Sequence, residues 1–102
     1  MIAFVWRYVV RPEHFADFER TYGPSGAWAR LFAEAEGYQG TELLRDGEGR
    51  YLTIDRWRDA ADFDAFMGAH RAAYQALDAQ CDAWTLHEER VGDTKWLIVN
   101  DI

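Results

Sequence analysis

From Ile2 to Val10 the chain alternates, with Ile2, Phe4, Trp6, Tyr8 and Val10 pointing one way and Ala3, Val5, Arg7 and Val9 the other. That period of two predicts a strand with two different faces. Pro12 suits the first turn of a helix, after which Phe15, Phe18 and Tyr22 recur at helical spacing until Gly23 and Pro24 interrupt. Ser25 is placed to cap a second helical piece, in which Trp28, Leu31, Phe32 and Ala35 form an apolar stripe ending at Gly37. The first helical region is therefore expected in two pieces. Tyr38 to Asp46 and Arg50 to Trp57 read as strands, and the link Gly47-Glu48-Gly49 predicts an antiparallel hairpin. Asp59 is a good N-cap for a long helix that carries Phe63, Phe66, Met67, His70, Tyr74, Leu77 and Cys81 on one face, with a bend expected near Gly68. Trp84 to Val91 reads as a fourth strand.

The order strand, helix, strand, strand, helix, strand predicts an α+β chain of ferredoxin-like βαββαβ topology with an antiparallel sheet. Helices on one side leave the other side of such a sheet bare. With the Ile2, Phe4, Trp6 and Tyr8 face assigned to that bare side, a second sheet must cover it, and a homodimer is expected. The last segment, KWLIVNDI, is too apolar to trail in water. Residues 1–92 are read as the domain, and residues 93–102 as an extension packed on the dimer, held through Trp96, Leu97 or Ile98.

Composition narrows the partners. The 102 residues carry a formal net charge of −7 and no run of Lys or Arg, so a nucleic-acid backbone or an anionic membrane would be repelled. No stretch approaches the roughly 20 apolar residues that span a bilayer, and the N-terminus has no signal-peptide pattern, so no membrane is expected. Cys81 is the single cysteine, which rules out an internal disulfide and fits a reducing, cytoplasmic setting.

Candidate chemistry is sparse. His14 and His87 share no ligand spacing with a carboxylate or Cys81, so no metal is expected, and glycine-rich phosphate loops and the GxSxG elbow are missing. His70 lies on the apolar stripe of the long helix and is expected to point inward. If Ala3, Val5, Arg7 and Val9 face the helices, their small side chains leave a space with Arg7 at its rim. In that space His70 would take a phenolic proton and Arg7 would hold the resulting anion. The plainer reading makes His70 a hydrogen-bonded core residue and pairs Arg7 with Asp55 or Glu88. Trp28, Phe32, Tyr22, Phe66 and Tyr74 are candidates to line an aromatic cleft, although stripes at helical spacing more often build core.

The arrangement YLTIDRW followed by RDAADFDAFMGAHRAAY resembles the antibiotic biosynthesis monooxygenase-like family of dimeric α+β barrel proteins. The resemblance covers roughly residues 1–92 in element order, length, the strand-ending Trp57, Phe63 and His70. It implies a homodimer and a possible cofactor-independent monooxygenase acting on a small aromatic or polyketide-like compound, with no cofactor. The haem-degrading branch of that family matches poorly, since this chain offers Arg7, Phe66 and Ala76 near the positions that branch fills with Asn, Trp and His. Two other readings stay open: a non-catalytic small-molecule-binding or structural dimer, and a cofactor-free isomerase.

Overall fold

The computed structural model of the chain describes residues 1–100. Its alternating first segment, Ile2–Val10, forms β1, a central strand. A turn of 3₁₀ helix at Pro12–His14 leads into α1 (Phe15–Tyr22) and then α2 (Ala27–Phe32), so the helical region is divided as its glycine and proline predict. The strands β2 (Tyr38–Asp46) and β3 (Arg50–Trp57) form an antiparallel hairpin, followed by α3 (Ala60–Cys81), β4 (Thr85–Arg90) and the short β5 (Trp96–Leu97). The order across the sheet is β2-β3-β1-β4. Here β1 pairs antiparallel with β3, from Ile2↔Trp57 to Val9↔Arg50, and with β4 on its other side.

Local chemistry explains the boundaries. The Asp59 carboxylate accepts the Asp62 backbone N–H at 2.9 Å, satisfying one of the unpaired donors at the start of α3. Ser25 does not cap α2. Gly26 holds that position with no side-chain bond, because a Cβ there would stand 2.3 Å from the Thr21 carbonyl oxygen and prevent the tight corner between α1 and α2. Gly49 closes the hairpin at a φ of 80°, a left-handed conformation that side chains disfavour. The expected bend in α3 falls at His70, with φ −124° and ψ 20°, and not at Gly68.

Both helical layers pack on one side of the sheet, and the packing reverses the expected assignment of faces. Tyr8 meets the rings of Phe18 and Tyr22 at 5.1 and 5.2 Å, and Phe4 meets Phe63 at 4.5 Å. The Ile2, Phe4, Trp6 and Tyr8 face is thus the helix-covered one. The reason is surface area: aromatic helix stripes bury far more apolar surface against large strand residues than against Ala3, Val5 and Val9. Trp57 sits fully buried at the centre of this layer, edge-on to Phe32 and Phe63.

The bare face of the sheet instead carries Val5, Arg7, Leu52, Ile54 and Leu44, crossed by the exposed pairs Arg7–Glu89 and Arg56–Glu42. In the extension, Leu97 and Trp96 pair with Ile2 and Ala3, and the Trp96 indole N–H donates to the Val91 carbonyl at 2.8 Å. Leu97 and Val99 remain largely exposed. The last two positions of the extension, Asp101 and Ile102, lie outside the described residues. No helix among the described residues is long and apolar enough to cross a membrane.

Candidate functional site

Between the sheet and the helices lies a cavity of about 130 Å³ that opens to solvent at its mouth. Its walls are set by alternation on the strands and by spacing on the helices. Trp6 and Tyr8 come from β1, Thr41 from β2, Thr53 and Asp55 from β3, Tyr22, Trp28 and Phe32 from α1 and α2, Tyr74 and Asp78 from α3, and Glu88 from β4. Six of these residues are aromatic. Three are carboxylic acids, and none is a cation. Arg90 lies over the rings of Phe4 and Trp6, at 5.7 and 5.2 Å, but does not line the cavity.

Asp55 projects from the helix-facing side of β3, between Thr53 and Trp57. Thr41, its cross-strand partner on β2, donates a hydroxyl hydrogen to Asp55 Oδ1 at 2.6 Å. Tyr38 Oη stands 2.5 Å from the same Thr41 oxygen. Thr41 has one hydrogen and gives it to Asp55, so Tyr38 must be the donor in this second bond. Burial pushes the Asp55 carboxyl up to about 6, and the Thr41 bond partly opposes that rise. Burial also drives the phenols of Tyr8, Tyr22, Tyr38 and Tyr74 upward, so all four remain protonated at neutral pH. Glu88, at the rim on β4, is raised by burial and then by the neighbouring Asp78 and Asp82.

The structure brings together Tyr22, Trp28, Phe32 and Tyr74 as the sequence suggests, and all four line the cavity. Phe66 does not. It is buried behind the wall against Phe32, Trp57 and His70. His70 stacks on Phe66 at 5.2 Å and its Nδ1 lies 3.6 Å from Glu34 Oε2, outside the cavity lining. Arg7 is on the opposite face of β1, exposed and bonded to Glu89 at 3.0 Å, so neither Asp55 nor Glu88 is its partner. The space expected to join His70 to Arg7 therefore does not form, because alternation places Arg7 away from the helices. Sequence reasoning placed none of the other lining residues, Trp6, Tyr8, Thr41, Thr53, Asp55, Asp78 and Glu88, in the cleft, and Asp55 is the most consequential of them. The signal was available in YLTIDRW, where a carboxylate alternates with Tyr51, Thr53 and Trp57 on one face.

Comparison with known proteins follows the same lines. The family model described as antibiotic biosynthesis monooxygenase matches residues 1–79. Among solved structures, the chain is similar to SnoaB, a cofactor-independent oxygenase from Streptomyces nogalater, with a TM-score of 0.71 and 22% identity over 99% of this chain and 95% of that one. It is also similar to an MhuD variant with two manganese protoporphyrin IX molecules bound per active site (TM-score 0.70, 18% identity, 100% of this chain and 98% of that). PA3566 from Pseudomonas aeruginosa follows at a TM-score of 0.64 and 14% identity, over 96% and 94% of the two chains. At these identities the likeness speaks for the fold. No curated protein matches the chain by sequence.

Proposed function

The chain belongs to the antibiotic biosynthesis monooxygenase family, and on that premise we propose that it is a cofactor-independent monooxygenase. Its substrate is a flat, neutral, electron-rich aromatic molecule bound between sheet and helices. The observation that carries this reading is the cavity itself, with six aromatic walls, a buried carboxyl group and no cation among its lining residues. Rings of Trp6, Trp28, Phe32 and Tyr74 offer stacked and edge-on contacts to a planar ligand. Walls of this kind shed water, and in the dry interior an ionised phenol is electron-rich enough at a ring carbon to reduce oxygen. The walls offer a substrate anion three carboxyl groups and no lining cation, with Arg90 stacked over Phe4 and Trp6 outside the lining, which speaks against an anionic substrate.

A haem-binding use of the cavity does not fit its residues. No histidine lines it, and the nearby His70 is turned toward Glu34. We also propose that the bare sheet face packs on a second copy of the chain, since no helix covers it and its apolar residues, Val5, Leu52, Ile54 and the exposed Leu44, lie between the Arg7–Glu89 and Arg56–Glu42 pairs only partly shielded from water.

The test is oxygen uptake and thermal stabilisation with a panel of neutral polyphenols and of phenolic acids. A ligand at a hundred times its dissociation constant adds about 2.7 kcal/mol to stability, which a melting curve resolves. Neutral polyphenols should shift the melt and consume oxygen, and phenolic acids should do neither. A shift without oxygen uptake would instead support the binder or isomerase reading, and no shift with any member would remove the cavity from consideration.

A further inference from the structure

We infer that Asp55 is the catalytic base of the chain: its carboxylate accepts the hydroxyl proton of a neutral phenol held in the cavity. The inference rests on the oxygenase reading above and deepens it.

Elimination among the groups facing the cavity leads to Asp55. Tyr8 from β1, Tyr22 from α1 and Tyr74 from α3 are phenols that burial keeps protonated, and Tyr38 on β2, one hydrogen bond away through Thr41, is held in the same state. From α2 come Trp28 and Phe32, which do not titrate. Asp78 on α3 and Glu88 on β4 are exposed residues, Glu88 being only partly drawn in, whereas Asp55 is the least exposed carboxyl group of the three. It has no ion-pair partner among the described residues. The adjacent Arg56 points to the opposite face and pairs with Glu42. A carboxylate in such a place has one hydrogen bond, from Thr41 to Oδ1, and acceptor capacity to spare for a ligand hydroxyl. Its raised proton affinity brings it near the working range of a base at neutral pH.

The reaction balances with molecular oxygen as the co-substrate. The substrate O–H bond breaks, its proton passes to Asp55, and the electron pair stays on the substrate and spreads to a ring carbon. That carbon reduces and bonds oxygen to form a peroxide, which takes the proton back from Asp55. The O–O bond then breaks. One oxygen stays as a carbonyl, and the other leaves as water with the returned proton and the hydrogen of the oxygenated carbon. Phenol plus oxygen becomes quinone plus water, and Asp55 is regenerated as the carboxylate.

The experiment uses the full chain, Asp55→Asn and Asp55→Glu, with alpha-naphthol for turnover and para-nitrophenol, whose ionised form is yellow, for binding. Asp55→Asn should lower oxygen uptake on the order of a hundredfold while para-nitrophenol still binds, and Asp55→Glu should recover part of the rate. Bound para-nitrophenol should hold its proton about tenfold more tightly in the parent than in Asp55→Asn, because only the parent sets a carboxylate against the hydroxyl. Unchanged turnover in Asp55→Asn overturns the inference, as does identical ionisation of the bound probe in both proteins or failure of the parent to bind it. If the parent binds the probe but consumes no oxygen, the oxygenase reading falls, and the ionisation of the bound probe alone decides the role of Asp55.

Discussion

Thr41 and Asp55 face each other across β2 and β3, and the hydroxyl of the first donates to the carboxylate of the second at 2.6 Å. The bond favours the ionised carboxylate and so opposes what burial does to it. Thr41→Val keeps the shape and removes the donor. Asp55 should then hold its proton to a higher pH, and the acid limb of the activity profile should move upward, which a pH series of oxygen uptake would read. Chemical denaturation should show a loss of about 1 to 2 kcal/mol at pH 7.

Asp55 also ties stability to pH. The unfolded chain releases this proton near 3.8 and the folded chain near 6, so between those values the folded state binds more protons. The contribution of Asp55 to stability therefore falls as pH rises through that window, and the full penalty is present above it. Each pKa unit is worth about 1.4 kcal/mol, which puts the penalty at about 3 kcal/mol. Asp55→Asn, which cannot ionise, should melt at a higher temperature than the parent at pH 8 and show little difference at pH 4.

Phe66 and Arg7 should separate core from surface. Phe66 is 2% exposed and packed against Phe32, Phe63 and Trp57, so Phe66→Ala should cost about 3 to 5 kcal/mol in urea unfolding. Arg7→Ala removes one side of an exposed pair and should cost less than about 1 kcal/mol. Turnover of the Arg7→Ala protein should match the parent, and so should that of His70→Ala.

The bare sheet face makes its own expectation. Ile54→Asp, at the middle of that face on β3, should convert a dimer to a monomer in sedimentation without altering the circular dichroism of the fold. A parent chain that sediments as a monomer at micromolar concentration would sink the proposal.

The secondary structure was legible because it is written in local periods. Alternation over Ile2–Val10 and over Tyr51–Trp57, the break at Gly23-Pro24 and the cap at Asp59 all appear where the sequence implies them. Which parity of β1 would meet the helices was not legible, since alternation is symmetric between the two faces. The tie was broken by the fit of Tyr8 to Phe18 and Tyr22, and by the gain from leaving the Arg7 guanidinium in water. Four aromatic residues of the cavity wall, Tyr22, Trp28, Phe32 and Tyr74, were visible from helical spacing alone. His70 had the spacing of the apolar stripe as well, but the helix changes conformation at that very residue and the imidazole leans toward Glu34. Asp55 needed the cross-strand register that joins it to Thr41, a non-local fact.

The kink at His70 makes α3 two mechanical elements with different attachments. Before it, Phe63 and Phe66 pack on the fully buried Trp57. After it, Tyr74 and Asp78 form one side of the cavity, and Tyr74 leans edge-on against Trp28. The departure from helical geometry at His70 gives the two halves separate footings, the second held through Tyr74, Leu77 and the buried Cys81. Amide exchange should divide at the same point: slow through Phe66, faster beyond His70, and slowed in that second half alone when an aromatic ligand fills the cavity and ties Tyr74 to the sheet.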